Sequence, residues 1–326
     1  MIKKICFSSL LIMIFAIIYS GCEDEIDTGE NALSMQKFVE NISLYARGIN
    51  PNFIIIPQNG AELAFIDTDP DNGRRVSYIN AINGIGIEEL FYNGDLSIDN
   101  ERLAMLKTLK NYVKIMVSDY VSVSGASSGA IDDSITRNYN EGFIAFPRSS
   151  DNYDYKNIPS SVPHEVNSSD INSLADAKNY LYLINTDSFP DKHSMISQIA
   201  ETDYDVVLID LFFEEGEALE ALEAADITAL KTKHNGGKRL VISYISIGSA
   251  EKYRYYWQSK WKKGSPSWLK KNYEGYPDEF WVEYWNKQWC DIIYGNEQSY
   301  IKKIINAGFD GAYLDNVEAY YFLVNK

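Results

Sequence analysis

Short apolar runs recur along most of the chain, and nearly all of them end on a polar residue. "FIII" (53–56) leads into Pro57, Gln58, Asn59 and Gly60, and "GIGI" (84–87) into Glu88. "VKIMV" (113–117) leads into Ser118 and Asp119, and "GFIAF" (142–146) into Pro147 and Arg148. The second half continues with "YLYLI" (180–184) before Asn185, "VVLI" (206–209) before Asp210, "LVISYI" (240–245) before Ser246 and "GAYL" (311–314) before Asp315. The first four runs begin 31, 29 and 29 residues apart. Helical periodicity fills several of the intervals, at 35–47, 100–112, 194–201 and 300–307. Continuous apolar strands alternating with helices specify a parallel sheet covered on both faces. Eight such units predict an α/β fold of the (β/α)8 TIM-barrel type. The alternative is a doubly wound open sheet, weakened because no Gly-x-Gly-x-x-Gly turn follows a strand.

A barrel of this kind gathers the C-terminal ends of its strands on one face, where active sites sit. Gln58, Asn59, Glu88, Asp119, Arg148, Asn185, Asp210 and Asp315 are therefore expected to converge. The last two strands begin 71 residues apart, and all six tryptophans fall in that interval, among them Trp257, Trp281, Trp285 and Trp289. Aromatic faces stack on sugar rings and attract cations. Trp281, Trp285 and Trp289 are spaced by four and are expected on one helix face, packed onto the barrel. Trp257 follows "SIGSAEKYR" at a strand end and is the better pocket candidate.

The first 21 residues stand apart from this rhythm. Lys3 and Lys4 precede an apolar run from Phe7 to Ile18, and "YSGC" ends at Cys22. The pattern resembles a bacterial lipoprotein signal peptide, with Tyr19 where an aliphatic residue is usual. The expected mature chain starts at a lipidated Cys22, followed by an acidic tether to residue 33 and a single domain over 34–326. Loss of Lys3 and Lys4 takes the formal charge from −16 to −18. So acidic a chain disfavours nucleic acid and suits a neutral or cationic partner. Cys6 leaves with the leader and Cys22 carries lipid, so Cys290 has no partner for an internal disulfide. "DTDPDNG" (67–73) imitates a calcium loop, but its glycine comes one place late and Tyr78 stands where the closing Glu belongs. His164, His193 and His234 lack ligand spacing. No metal and no cofactor are expected.

Three segments, "VISYISIGSAEKYRYYW" (241–257), "GFDGAYLDNVEAY" (308–320) and "FIIIPQNGAEL" (53–63), resemble the extracellular barrel proteins of glycoside hydrolase family 114. "GIEELFYNGD" (86–95) supports the likeness. Members named in that family are endo-α-1,4-polygalactosaminidases. The resemblance implies an endo-acting O-glycosidase in which Asp315 is the nucleophile or stabilising carboxylate and Glu88 the general acid/base. Such hydrolysis needs two carboxyl groups flanking the scissile bond. It also implies that the order of units is permuted: in the family the strand matching "YLYLI" comes first, whereas here it comes fifth. Residues 35–47 would then back Asp315 in space although they precede it in sequence. Both ends of the domain, and the lipid, would lie near the catalytic face.

Asp210, Asp119 and Glu251 are expected to add negative charge around the cleft, suited to a protonated amino sugar. Tyr244, Arg254, Asn59, Asn185 and Arg148 are candidates to bond sugar hydroxyls, and alternation points Glu89 away from the axis if Glu88 points in. The function expected is a lipid-anchored, monomeric hydrolase of a polysaccharide in the cell envelope. The competing reading is a carbohydrate-binding lipoprotein without turnover.

Overall fold

The computed structural model describes residues 29–121, 128–148, 153, 155–215 and 218–323. The leader and Cys22 lie outside the described residues. All eight apolar runs form strands: β1 Ile54–Pro57, β2 Gly84–Leu96, β3 Lys114–Val121, β4 Ile144–Ala145, β5 Tyr180–Leu183, β6 Val206–Asp210, β7 Leu240–Ser246 and β8 Gly311–Asp315. Every one of their named ladders is parallel. One sheet runs β5-β6-β7-β8-β1, with Asp210 opposite Tyr244 and Asp315 opposite Ser246. A second runs β2-β3-β4. A parallel bridge between Gln58 and Gly86 joins them. The strands therefore follow one another in space as in a TIM-like α/β fold, from β5 round to β4. Between β4 and β5 the contact is made by rings: Phe146 lies 5.7 Å from Tyr180.

The interior between the strands is unusually aromatic. Tyr180, Tyr182 and Tyr313 are almost wholly buried there, and Tyr155 stacks on Tyr182 with ring centroids 3.8 Å apart. Tyr182 donates to Gln58 Oε1 at 3.1 Å, so its hydroxyl is satisfied away from water. Large rings on some strands require small residues on others. A Cβ on Gly86 would sit 1.8 Å from the Tyr313 hydroxyl.

Helix Gly29–Ile49 buries Ala32, Met35, Phe38, Val39, Ile42 and Ala46, the 3–4 spacing of one helical face. It starts at Gly29, so residues 29–33, expected as tether, are helical. Near its start, Gln36 Nε2 donates to the carbonyls of Leu63 and Phe65, beyond the C-terminal end of β1. Near its end, Arg47 bonds the Phe53 and Asn80 carbonyls, before β1 and β2. The helix thus runs antiparallel to the strands, and it packs against helices Tyr300–Ala307, Val76–Ala81 and Ala319–Phe322.

The long β7–β8 connection is mostly not helical. Ser249–Glu251, Tyr276–Val282 and Leu269–Tyr273 form an antiparallel sheet. Trp281 lies in its central strand, Trp285 in the following turn and Trp289 on the short helix Lys287–Ile293. The shared helix face expected of these three is therefore absent. Alternation on a strand and a four-residue spacing coincide by chance here. Packing does hold for Trp289, which is fully buried and donates to the Ile247 carbonyl at 2.8 Å.

Candidate active site

Asp315 ends β8 and is half-buried. It accepts from the Tyr244 hydroxyl at 2.5 Å and from the Asn316 backbone N–H at 2.7 Å. The turn beyond it is fixed on both sides. Asn316 has φ 63°, and its Nδ2 donates to Ser246 Oγ and Ser249 Oγ while Tyr273 donates to its Oδ1. A Cβ on Gly248 would lie 1.9 Å from the Asn316 carbonyl oxygen, so the two turns touch backbone to backbone. Burial, with the charges of Glu88 and Glu251, pushes Asp315 up to about 7, although Tyr244 and Asn316 draw it down.

Glu88 lies on β2 and is also half-buried. Its Oε1 accepts from the Tyr155 hydroxyl at 2.6 Å, and Ser118 contacts the same hydroxyl at 2.9 Å. Its backbone N–H donates to Asn59 Oδ1 at 3.1 Å. Burial raises its pKa, opposed chiefly by the nearby Arg148 and by Tyr155. The two carboxyl groups thus come from strands separated by β1, and each feels burial more than any single partner.

Glu89 departs from the expected alternation. It adopts φ 56°, and the β2–β3 register breaks just beyond Glu88. Its carboxylate therefore turns back to the same region, where Arg148 Nη2 donates at 2.5 Å and Tyr153 Oη at 2.7 Å. Arg148 lies over the Tyr153 ring, 4.1 Å from its centroid. It is engaged by Glu89 and these rings.

Asp210, Glu251 and Arg254 form a closed unit. Arg254 donates to Glu251 Oε2 at 2.7 Å and contacts Asp210 Oδ2 at 2.7 Å, with all three side chains almost fully buried. The two carboxylates share one guanidinium, which leaves a net negative charge but ties both side chains to Arg254, so they do not form the open ring the sequence suggested. Asp119 is fully buried and accepts from the Phe91 and Tyr92 N–H groups, Ser134 Oγ and Asn138 Nδ2. With all its acceptor positions engaged it ties β3 to helix Ser128–Asn140 and not to a ligand. Asn185 caps its own loop, accepting from the Asp187 N–H. Trp257 is half-buried, stacked on Phe280 at 5.6 Å and edge-on to Trp261.

Two further acids belong to the cluster and have no ion pair among the described residues. Glu279, in the central strand of the insertion sheet, accepts from Ser249 Oγ at 3.0 Å and is pushed up to about 8 by burial and the Glu251 charge opposite it. Glu318, in the turn after β8, accepts from Asn59 Nδ2 at 3.2 Å and rises to about 8 through burial and Glu62. No sequence signal separated them from ordinary surface acids, except that Glu318 lies three residues past Asp315. Tyr155 and Tyr153 were equally invisible, since they sit in an irregular stretch with no periodicity.

Asp315 thus closes β8, and Glu88 stands where the regular parallel β2–β3 ladder breaks, each carboxyl group bonded by a tyrosine. Residues 180–326 match the family model of glycoside-hydrolase family GH114, which bears out the resemblance drawn from the motifs. That segment carries β5 to β8 with Asp210, Tyr244, Glu251, Arg254 and Asp315, while Glu88 and Asn59 lie outside it. An uncharacterized protein of Methanocaldococcus jannaschii is 36% identical over 127 residues, 39% of this chain and 34% of its own length. One of Deinococcus radiodurans is 33% identical over 125 residues, 38% of this chain and 37% of its own. The chain thus spans about a third of the length of these relatives.

Proposed function

We propose that the protein is an endo-acting glycoside hydrolase that cleaves an α-linked amino-sugar polysaccharide, using Asp315 and Glu88. The observation that carries this is the meeting of these two carboxyl groups, both raised in pKa by burial and each held by its own tyrosine, beside a GH114 segment. In the reaction Glu88 gives its proton to the leaving glycosidic oxygen as the C1–O bond breaks. Asp315 attacks or stabilises the anomeric carbon. Water then supplies the new C1–O bond and returns the proton. Tyr244 and Asn316 hold Asp315, and Tyr155 and Asn59 hold Glu88. Tyr273, Tyr276 and Trp257 are the rings offered to the sugar.

A second division of roles has its own support. Arg148 lies beside Glu88 and favours its ionised form, while Asp315 has no ion pair among the described residues. Asp315 would then be the proton donor. Azide rescue separates the two. In a retaining enzyme, an alanine variant of the nucleophile yields a glycosyl azide of inverted anomeric configuration, and one of the acid/base residue yields a retained product.

The same reading includes a barrel closed across β4 and β5 and a permuted order of units. It is supported by the ring contacts there, by helix Gly29–Ile49 filling the place of the helix after β8, and by a family match confined to the second half. It places the mature chain on a lipid at Cys22, as a monomer in the bacterial cell envelope. The test is cleavage of partially deacetylated galactosaminoglycan by the mature domain, with Asp315→Asn and Glu88→Gln as controls. Unchanged turnover in either variant would remove the assignment. Binding without turnover in the wild type would make the protein a carbohydrate-binding lipoprotein instead.

A further inference from the structure

The geometry points to Glu318 as a positioning residue of the site, acting on Glu88 through the side chain of Asn59. This rests on the hydrolase reading for its purpose, but not for its geometry. Asn59 stands in the left-handed region at φ 59°, a conformation asparagine tolerates better than most residues. There its amide has three contacts. Oδ1 accepts from the Glu88 N–H at 3.1 Å, while Nδ2 faces Glu88 Oε2 at 3.5 Å and Glu318 Oε2 at 3.2 Å. Glu318 is the nearer carboxylate, so it fixes which way the amide is turned. Turned over, Asn59 would set its Nδ2 against the Glu88 N–H and its oxygen against Glu88 Oε2, and Glu318 Oε2 would lose the donor it accepts from.

The placement is rigid from both sides. Glu318 lies on the same turn as Asp315, which Ser246, Ser249 and Tyr273 hold through Asn316. Gly60, next to Asn59, approaches that turn so closely that a Cβ there would lie 2.9 Å from Val317 Cγ2. Asp315 and Glu318 thus move together, and Asn59 transmits that position to Glu88 across β1. No lysine or arginine pairs with Glu318 among the described residues, which sets it apart from Glu89, Asp210 and Glu251. The charged and titratable groups that act on it are Glu62, Arg102, Glu88 and Asp315.

The test has two arms. In the first, Glu318→Ala and Glu318→Gln are assayed on the galactosaminoglycan chain. The alanine variant should lose on the order of tenfold in kcat with KM within about twofold, and glutamine, which keeps an acceptor for Asn59, should recover most of the loss. Equal activity of all three proteins would overturn the proposal. The second arm needs no turnover. The Glu318 carboxyl carbon is titrated by NMR in the wild type and in Glu88→Gln. Removing the Glu88 charge should lower the Glu318 midpoint, because that charge raises it. An unmoved midpoint would show that the two do not communicate. If the wild type cleaves nothing, the hydrolase reading fails while the second arm still decides the coupling.

Discussion

Replacing Tyr244 by Phe removes one hydroxyl and leaves the ring. That hydroxyl donates to Asp315 Oδ2 and is the strongest single influence drawing Asp315 down against its burial. A hydrogen bond to a charged group contributes ~1.5–3 kcal/mol, and both partners are half-buried, so the low end applies. At about 1.36 kcal/mol per pH unit this moves Asp315 up by roughly one unit from its value of about 7. If Asp315 must be ionised to act, the acid limb of kcat/KM moves up by the same unit. Activity at pH 6 then falls about tenfold, while the change above pH 9 is about twofold or less. The assay is kcat/KM against pH on the galactosaminoglycan, with a melting curve to show that the variant is folded. A shift of the alkaline limb instead would make Asp315 the proton donor. Superimposable profiles would refute the reasoning altogether.

Other outcomes follow from the same contacts. Arg254→Met leaves Asp210 and Glu251 buried without their cation and should cost about 3–5 kcal/mol in urea unfolding; a loss under about 1 kcal/mol would show that the pair is not buried as described. Gly86→Ala forces a methyl onto the Tyr313 hydroxyl and should lower the melting temperature by several degrees or prevent folding, and an unchanged Tm would mean the strands are spaced differently. Asp315, Glu279 and Glu318 keep protons between about pH 4 and 8 that the unfolded chain has released, so stability should decline as pH rises through that window. Solvent screening at half-buried groups reduces the sum to a few kcal/mol. Melting scans from pH 5 to 8.5 would show it, and a Tm that climbs with pH would contradict it.

The strands could be read because strands of a parallel sheet bury both faces and so leave unbroken apolar runs bounded by polar residues. Asp315 and Glu88 were legible for the same reason: each follows such a run. What the sequence hid were departures from periodicity and choices of partner. Glu89 faces the site only because its backbone turns left-handed, which no pattern of apolar residues encodes. Arg254 pairs with Asp210 from a distant segment, so a carboxylate at a strand end looked available when it was engaged. Trp281 sits on a strand because the insertion pairs with itself, and a four-residue spacing cannot tell that from a helix over so short a stretch.

The helix Gly29–Ile49 lies against elements made much later, helices Tyr300–Ala307 and Ala319–Phe322, and β1 pairs with the equally distant β8. The order of synthesis is therefore the reverse of the order of support. Glu88 emerges early with Asn59 beside it, and then waits for β8. Until β8 inserts, β1 presents an unpaired edge and the site lacks Asp315 and Glu318. Ladder closure between such distant segments is slow and exposes that edge meanwhile. Completion of the acid cluster and final burial of helix Gly29–Ile49 should thus arrive in a single late step, so a partly folded molecule would have both an incomplete site and a sticky edge.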